Sequence, residues 1–192
     1  YEGFRQVSDA FGFAATKMWE MLVHWYEGEM DIALNLFYEL VPLIKAGNYY
    51  YLLTRPTYIG IKDEQMLIPI LISAYKKCIE SEFIESLLAK MNLEMIDYHP
   101  GYSIFVHSFG VFEVWRGDNR VKSTEWQREK ARKLFQLLLI HKDEWLHRDQ
   151  IIDQLWPDLP IDAAIRDFKV ALNALNKALE PNRPKGVNPF FI

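Results

Sequence analysis

The chain has 192 residues, of which 50% are hydrophobic, 15% aromatic and 25% charged, with a net charge of −4 and one cysteine. So much apolar material excludes an intrinsically disordered chain, and the lone Cys78 excludes an intrachain disulfide framework or a zinc cluster. The longest apolar run, 66–72 with Pro69 inside it, is too short to span a bilayer, and no charged segment followed by an apolar one reads as a signal peptide, so a cytoplasmic protein without a membrane partner is expected.

Charge divides the chain. Residues 1–100 hold 8 Lys+Arg against 14 Asp+Glu, whereas residues 101–192 hold 14 against 12. Patterning changes at the same place, from successive helical periodicities to alternation and glycine turns. Tyr98-His99-Pro100-Gly101 is the expected boundary, because proline disfavours helix at the residue before it and glycine permits a reversal. The expected domains are 1–98 and 101–192.

Along 4–26, Phe4, Val7, Phe11, Ala14, Ala15, Met18, Leu22 and Trp25 recur at three- and four-residue spacing, which predicts a long amphipathic helix. Gly28 interrupts it. From Asp31 a second helix places Ala33, Leu36, Phe37, Leu40 and Ile44 on one face and closes at Ala46-Gly47-Asn48, with Pro42 expected to kink or shorten it. After Tyr49–Leu53 and the Arg55-Pro56 break, two more helices are predicted, 63–77 with an internal Pro69, and 81–92 with room for an N-cap at Ser81. Helix pairs in succession suggest a helical array, and Gly28-Glu29-Met30-Asp31-Ile32-Ala33 followed by Phe37 resembles the second helix of a tetratricopeptide repeat. Such arrays bind a protein partner or an inducer on a concave face.

In the second half, 103–110 and 111–115 are β-rich, and Arg116-Gly117-Asp118-Asn119 is a turn signal, so a small antiparallel sheet is predicted. Thr124-Glu125-Trp126-Gln127 fits a capping box that opens a helix running to about His141. A short helix over 147–156 ends at Pro157, and a last one runs from Asp162 to Leu179, stopped by Pro181. On this last helix Ile165, Phe168, Leu172, Leu175 and Leu179 make an apolar stripe, while Arg166, Val170, Asn173 and Lys177, flanked by Lys169, lie opposite. That opposite face carries the chemistry of a major-groove helix: cations for phosphates, an amide able to pair with adenine, and an aliphatic group to meet a thymine methyl. Asp162 and Asp167 lower the local positive potential.

Several strings in order carry a resemblance. Phe109-Gly110-Val111-Phe112-Glu113-Val114, then Trp126 with Arg128, Lys130 and Ala131, then Leu137-Leu138-Leu139, His147-Arg148-Asp149-Gln150-Ile151-Ile152, Leu155-Trp156-Pro157-Asp158, and Leu172 to Pro181 resemble the winged-helix DNA-binding domain of OmpR/PhoB-type regulators, in the SARP-like subgroup of bacterial transcriptional activators. The preceding helical half is similar to the end of the helical-repeat region in MalT-like ATPase regulators. The implied fold is mainly α with a small β component, a TPR-like helical-repeat half followed by a winged helix-turn-helix domain. The resemblance implies double-stranded DNA as partner, with 162–179 as recognition helix and Arg166, Lys169, Val170, Asn173 and Lys177 as its contacts. It implies phosphate contact at His147 and Arg148, contact with RNA polymerase through the loop 156–161, and a wing beginning at Arg183, Lys185 and the strand-like Phe190-Phe191-Ile192. Asn176 stands where relatives commonly carry Arg, which implies a weakened phosphate contact. A start at Tyr1 and a stop before the second wing strand suggest a fragment of a larger regulator.

No phosphate loop or dinucleotide fingerprint occurs, and the histidines show no H-x-x-x-H or H-E-x-x-H spacing. No enzyme, cofactor or metal site is expected. A helical scaffold whose winged domain docks proteins is the alternative to a DNA-binding regulator.

Overall fold

A computed structural model describes residues 9–93 and 96–192. They are mainly helical, with one small three-stranded antiparallel sheet. The chain divides into two compact units, one ending at Ser103 and the other starting at Ile104, each with its own hydrophobic core.

The first unit opens with α1 (Ala10–Tyr26), capped by Asp9, whose carboxylate accepts the Gly12 N–H at 2.8 Å. The predicted stretch 4–8 lies outside the described residues. α2 (Met30–Gly47) follows a three-residue turn, within which the Glu27, Gly28 and Glu29 amides donate back to the Val23, Trp25 and His24 carbonyls. Gly28 supplies the positive φ of 90° that this reversal needs. The two helices pack antiparallel, burying Ala14, Met18, Met21 and Leu22 against Ala33, Phe37, Leu40 and Ile44. α2 is not shortened at Pro42: the helix runs through it to Gly47, and Pro42 stands on the exposed side, where the carbonyl it leaves unpartnered can be hydrated. Asn48, left-handed at φ 55°, ends it.

A short α3 (Tyr51–Thr54) fills the segment after α2. The predicted helix 63–77 is two pieces: a 3-10 turn at Glu64–Leu67, then α4 (Ile68–Lys76). Pro69 therefore sits in the first turn of α4 rather than inside a helix, where its missing N–H is no loss. α5 (Ser81–Lys90) starts at the residue expected to cap it. Glu80 precedes it in a left-handed conformation without a side-chain cap, and Ser81 is already helical.

The connection out of this unit is anchored by Asp63, which accepts from the Ser103 N–H at 2.9 Å and the Ser103 hydroxyl at 3.3 Å. His99 is buried nearby in sequence, and its Nδ1 accepts the Gly101 N–H at 3.0 Å. Burial pushes its pKa down from 6.5 to about 4. The folded state thus refuses a proton that the unfolded chain takes up below pH 6.5. Stability contributed by neutral His99 is complete above that pH and lost as pH falls toward 4, by roughly 2–3 kcal/mol. Urea unfolding at pH 7 and pH 5 should show this loss in the wild type and a smaller one in His99→Gln; equal pH dependence in both would remove His99 as its source.

The second unit begins with β1 (Ile104–His107) and β2 (Glu113–Arg116), paired antiparallel with Phe105 opposite Trp115, and β3 (Asn119–Arg120) on the far edge of β2. Only half of a capping box forms, two residues earlier than expected and at a 3-10 turn, Ser123–Trp126: the Glu125 carboxylate accepts the Lys122 N–H at 2.9 Å, while the Lys122 side chain has no acceptor to return. Gln127 has φ 58°, so the chain reverses before α6 (Glu129–Ile140). α7 (Arg148–Leu155) and α8 (Ile161–Leu179) complete the unit. The core collects Val114, Trp126, Leu134, Phe135, Ile151, Ile152, Trp156 and Leu175.

Candidate nucleic-acid interface

α8 is the longest described helix, and the residues that hold it are clear. Its buried side is built largely of small residues, Ala164, Ala171, Ala174 and Ala178, with Leu175 and Leu179. Ile165, Phe168 and Leu172 are half-buried shoulders of this stripe rather than its centre. Alanines let the backbone of α8 approach α6 closely, and the large side chains then flank the contact.

Contacts at Phe168 and at the last turn hold α8 to the rest of the unit. Trp156, 4% exposed, meets the Phe168 ring edge-on at 6.2 Å, and the Lys130 ammonium lies 5.4 Å from the Trp156 ring while donating to the Leu155 carbonyl. At the other end, Arg116 on β2 donates to the Ala178 carbonyl at 3.2 Å and pairs with Glu125 at 2.5 Å. Burial opposes ionisation of Glu125, but the Lys122 amide and the Arg116 guanidinium outweigh it and hold its pKa below the ordinary value.

The outer side of α8 carries Arg166, Lys169, Val170, Asn173 and Lys177, all exposed. At about 100° per residue these five fall within an arc of roughly 100°, and the rise of about 1.5 Å per residue spreads them along roughly 16 Å. Among the described residues, no ion pair engages Arg166, Lys169 or Lys177. Asp162 occupies the first turn of the same helix, where a carboxylate is favoured by the helix dipole.

The remaining expected contacts fare differently. His147 is the exposed N-cap residue of α7, its N–H donating to the Gln150 side chain at 2.9 Å. Arg148 is exposed but paired with Asp149 at 3.0 Å, which offsets its charge at this helix start. Lys185 is exposed, whereas Arg183 is half-buried with its Nη1 enclosed. Phe190–Ile192 form no strand; their course is set instead by Glu180, whose carboxylate accepts the Phe190 and Phe191 amides at 2.9 and 3.0 Å. Asn176, expected at a phosphate-facing position, is 8% exposed and faces the interior.

Sequence reasoning missed Arg116 and Glu180, because a cation on a strand and a carboxylate before a proline both read as surface residues. It also missed a surface group at the α1–α2 turn, where ligand atoms of His24, Glu27 and Glu29 lie within 4.8 Å of one another and His24 pairs with Glu29 at 2.5 Å. In the first unit a cleft of about 600 Å³ lies between α4 and α5, its polar lining occupied by a Tyr75 to Glu85 hydrogen bond of 3.0 Å. Cys78 is exposed. No helix among the described residues is long and apolar enough to cross a membrane.

No family model, curated protein or solved structure matches the chain.

Proposed function

We propose that the second unit binds double-stranded DNA by laying the outer face of α8 in the major groove, as part of a bacterial transcriptional regulator with a winged helix-turn-helix fold of the OmpR/PhoB type. The observation that carries this reading is the single stripe of unpaired cations, amide and valine on a helix whose opposite side is fixed to a core. Lys169 and Lys177 suit phosphates, Arg166 and Asn173 suit base edges, and Val170, 41% exposed, suits a thymine methyl. His147 at the start of α7 adds a contact to the backbone.

Leu159 in the loop after α7 and Ile161 at the start of α8, both exposed, suit a protein contact such as RNA polymerase. The acidic, TPR-like helical unit has the role of a sensing or coupling element, contacting a protein or inducer. The alternative, a scaffold whose second unit docks proteins instead of DNA, draws support from the same exposed apolar side chains and from Trp145, which is fully exposed.

Selection of bound sequences from random duplexes tests the reading. Lys177→Ala should weaken binding to all selected duplexes about equally and lower the slope of log K against log salt by about 1, while Asn173→Ala should relax preference at one base position at a cost of about 1–3 kcal/mol. Absence of duplex binding at low salt would favour the docking alternative.

A further inference from the structure

After α8, residues 180–191 fold back on their own starting point. Glu180, the residue that caps α8, is 2% exposed, a costly location for a carboxylate. Its Oε1 accepts the amides of Phe190 and Phe191, ten and eleven residues on. The Phe190 and Phe191 rings meet edge-on at 5.2 Å, and Phe191 packs on the core of the unit. Residues 180–191 are therefore a closed loop with both ends at the last turn of α8.

Its tip is a turn. The Val187 N–H donates to the Pro184 carbonyl at 3.4 Å, and Gly186 at φ 82° takes the left-handed position that a type II turn requires. Lys185 occupies the first central position of that turn and is exposed. The segment 181–192 contains Arg183 and Lys185 and no Asp or Glu. Lys177 lies three residues before Glu180, about 4.5 Å along the helix axis, so the loop leaves from and returns to a point within one turn of that cation.

We infer that Glu180 is a positioning residue that closes 180–191 into a rigid loop and thereby presents Lys185 to a nucleic-acid phosphate beside the one met by Lys177. This rests on the proposed DNA binding. An anchored loop loses less freedom on binding than a free chain end, so the lysine at its tip binds phosphate more tightly than the same lysine on an unanchored segment. Glutamine in place of Glu180 keeps an oxygen able to accept both amides, whereas alanine removes it.

The experiment is a double-mutant cycle on the full 192-residue chain, read by duplex binding across a salt series. Lys185→Ala should weaken binding about three- to tenfold and lower the salt slope by about 1. Glu180→Ala should weaken it at least as much, and adding Lys185→Ala to that variant should change affinity less than twofold. Glu180→Gln should stay within threefold of wild type. An undiminished Lys185 effect in the Glu180→Ala background, or wild-type affinity in Glu180→Ala, overturns the inference. If Glu180→Ala does not fold, amide exchange in the wild type decides the anchor: Phe190 and Phe191 should exchange much more slowly than Asn188, and equal exchange overturns it. If wild type binds no duplex at low salt, the DNA reading fails and the role of Lys185 with it, while slow exchange at Phe190 and Phe191 would still identify Glu180 as the anchor.

Discussion

Phe37→Ala should destabilise the helical unit by about 3–5 kcal/mol. Phe37 is 1% exposed, lies in the middle of α2, and has its ring 6.4 Å from that of Phe83 on α5. Removing it costs the transfer energy of the ring and also leaves a cavity between helices that cannot collapse, because Leu40, Ile44 and Met18 are already fully buried. Tyr38, the next residue, is 60% exposed, and Tyr38→Ala should change stability by about 0.5 kcal/mol or less. Urea unfolding of the two variants measures the contrast directly. Comparable, small losses in both would mean that α2 does not bury the face described. Because the two units have separate cores, Phe37→Ala should leave the unfolding transition of the second unit in place.

The second large effect concerns binding. Replacing Arg166, Lys169 and Lys177 together by alanine should lower duplex affinity by about two to three orders of magnitude at physiological salt and reduce the salt slope by about 2, since the two lysines assigned to phosphates each release close to one counterion while Arg166 is assigned to a base edge. All three side chains are exposed, so the variant should retain the stability of the wild type, and calorimetry separates the two effects. A triple variant that binds duplexes as tightly as wild type would move the interface elsewhere and favour the protein-docking alternative.

Much of the helical architecture was legible because periodicity reports burial. Ala33, Phe37, Leu40 and Ile44 recur at three and four residues and share one buried face, and the Gly28 and Asn48 ends follow from residues that tolerate positive φ. Proline was less informative. The same residue type passes through the exposed side of α2 at Pro42 and begins α4 at Pro69, and only tertiary placement decides which. The buried stripe of α8 was assigned by large side chains, but alanines occupy its centre, since the tightest part of a helix contact admits only small groups. The outward face followed from the sequence, as exposed positions opposite an apolar stripe must.

Buried polar residues were the least legible. Lys17 is 3% exposed and pairs with Glu39, Asn176 faces inward, and Glu180 gathers two amides from the chain end. Composition places such residues on the surface, and their partners are decided by contacts 10 or 22 residues away in sequence. The bond from the Lys122 N–H to Glu125 shows the local version of the same difficulty, because Thr124 and Gln127 have the right spacing for a cap but Gln127 adopts φ 58° and leaves the helix register.

The bond from Arg116 to the Ala178 carbonyl bears on how the last turn of α8 moves. Helix ends ordinarily fray, because their final carbonyls lack donors and each opened turn forfeits few contacts. Here a strand residue supplies the missing donor and is itself held by Glu125. Opening that turn therefore requires breaking a link to the sheet as well, so the turn that carries Lys177 frays less readily than an unlinked helix end.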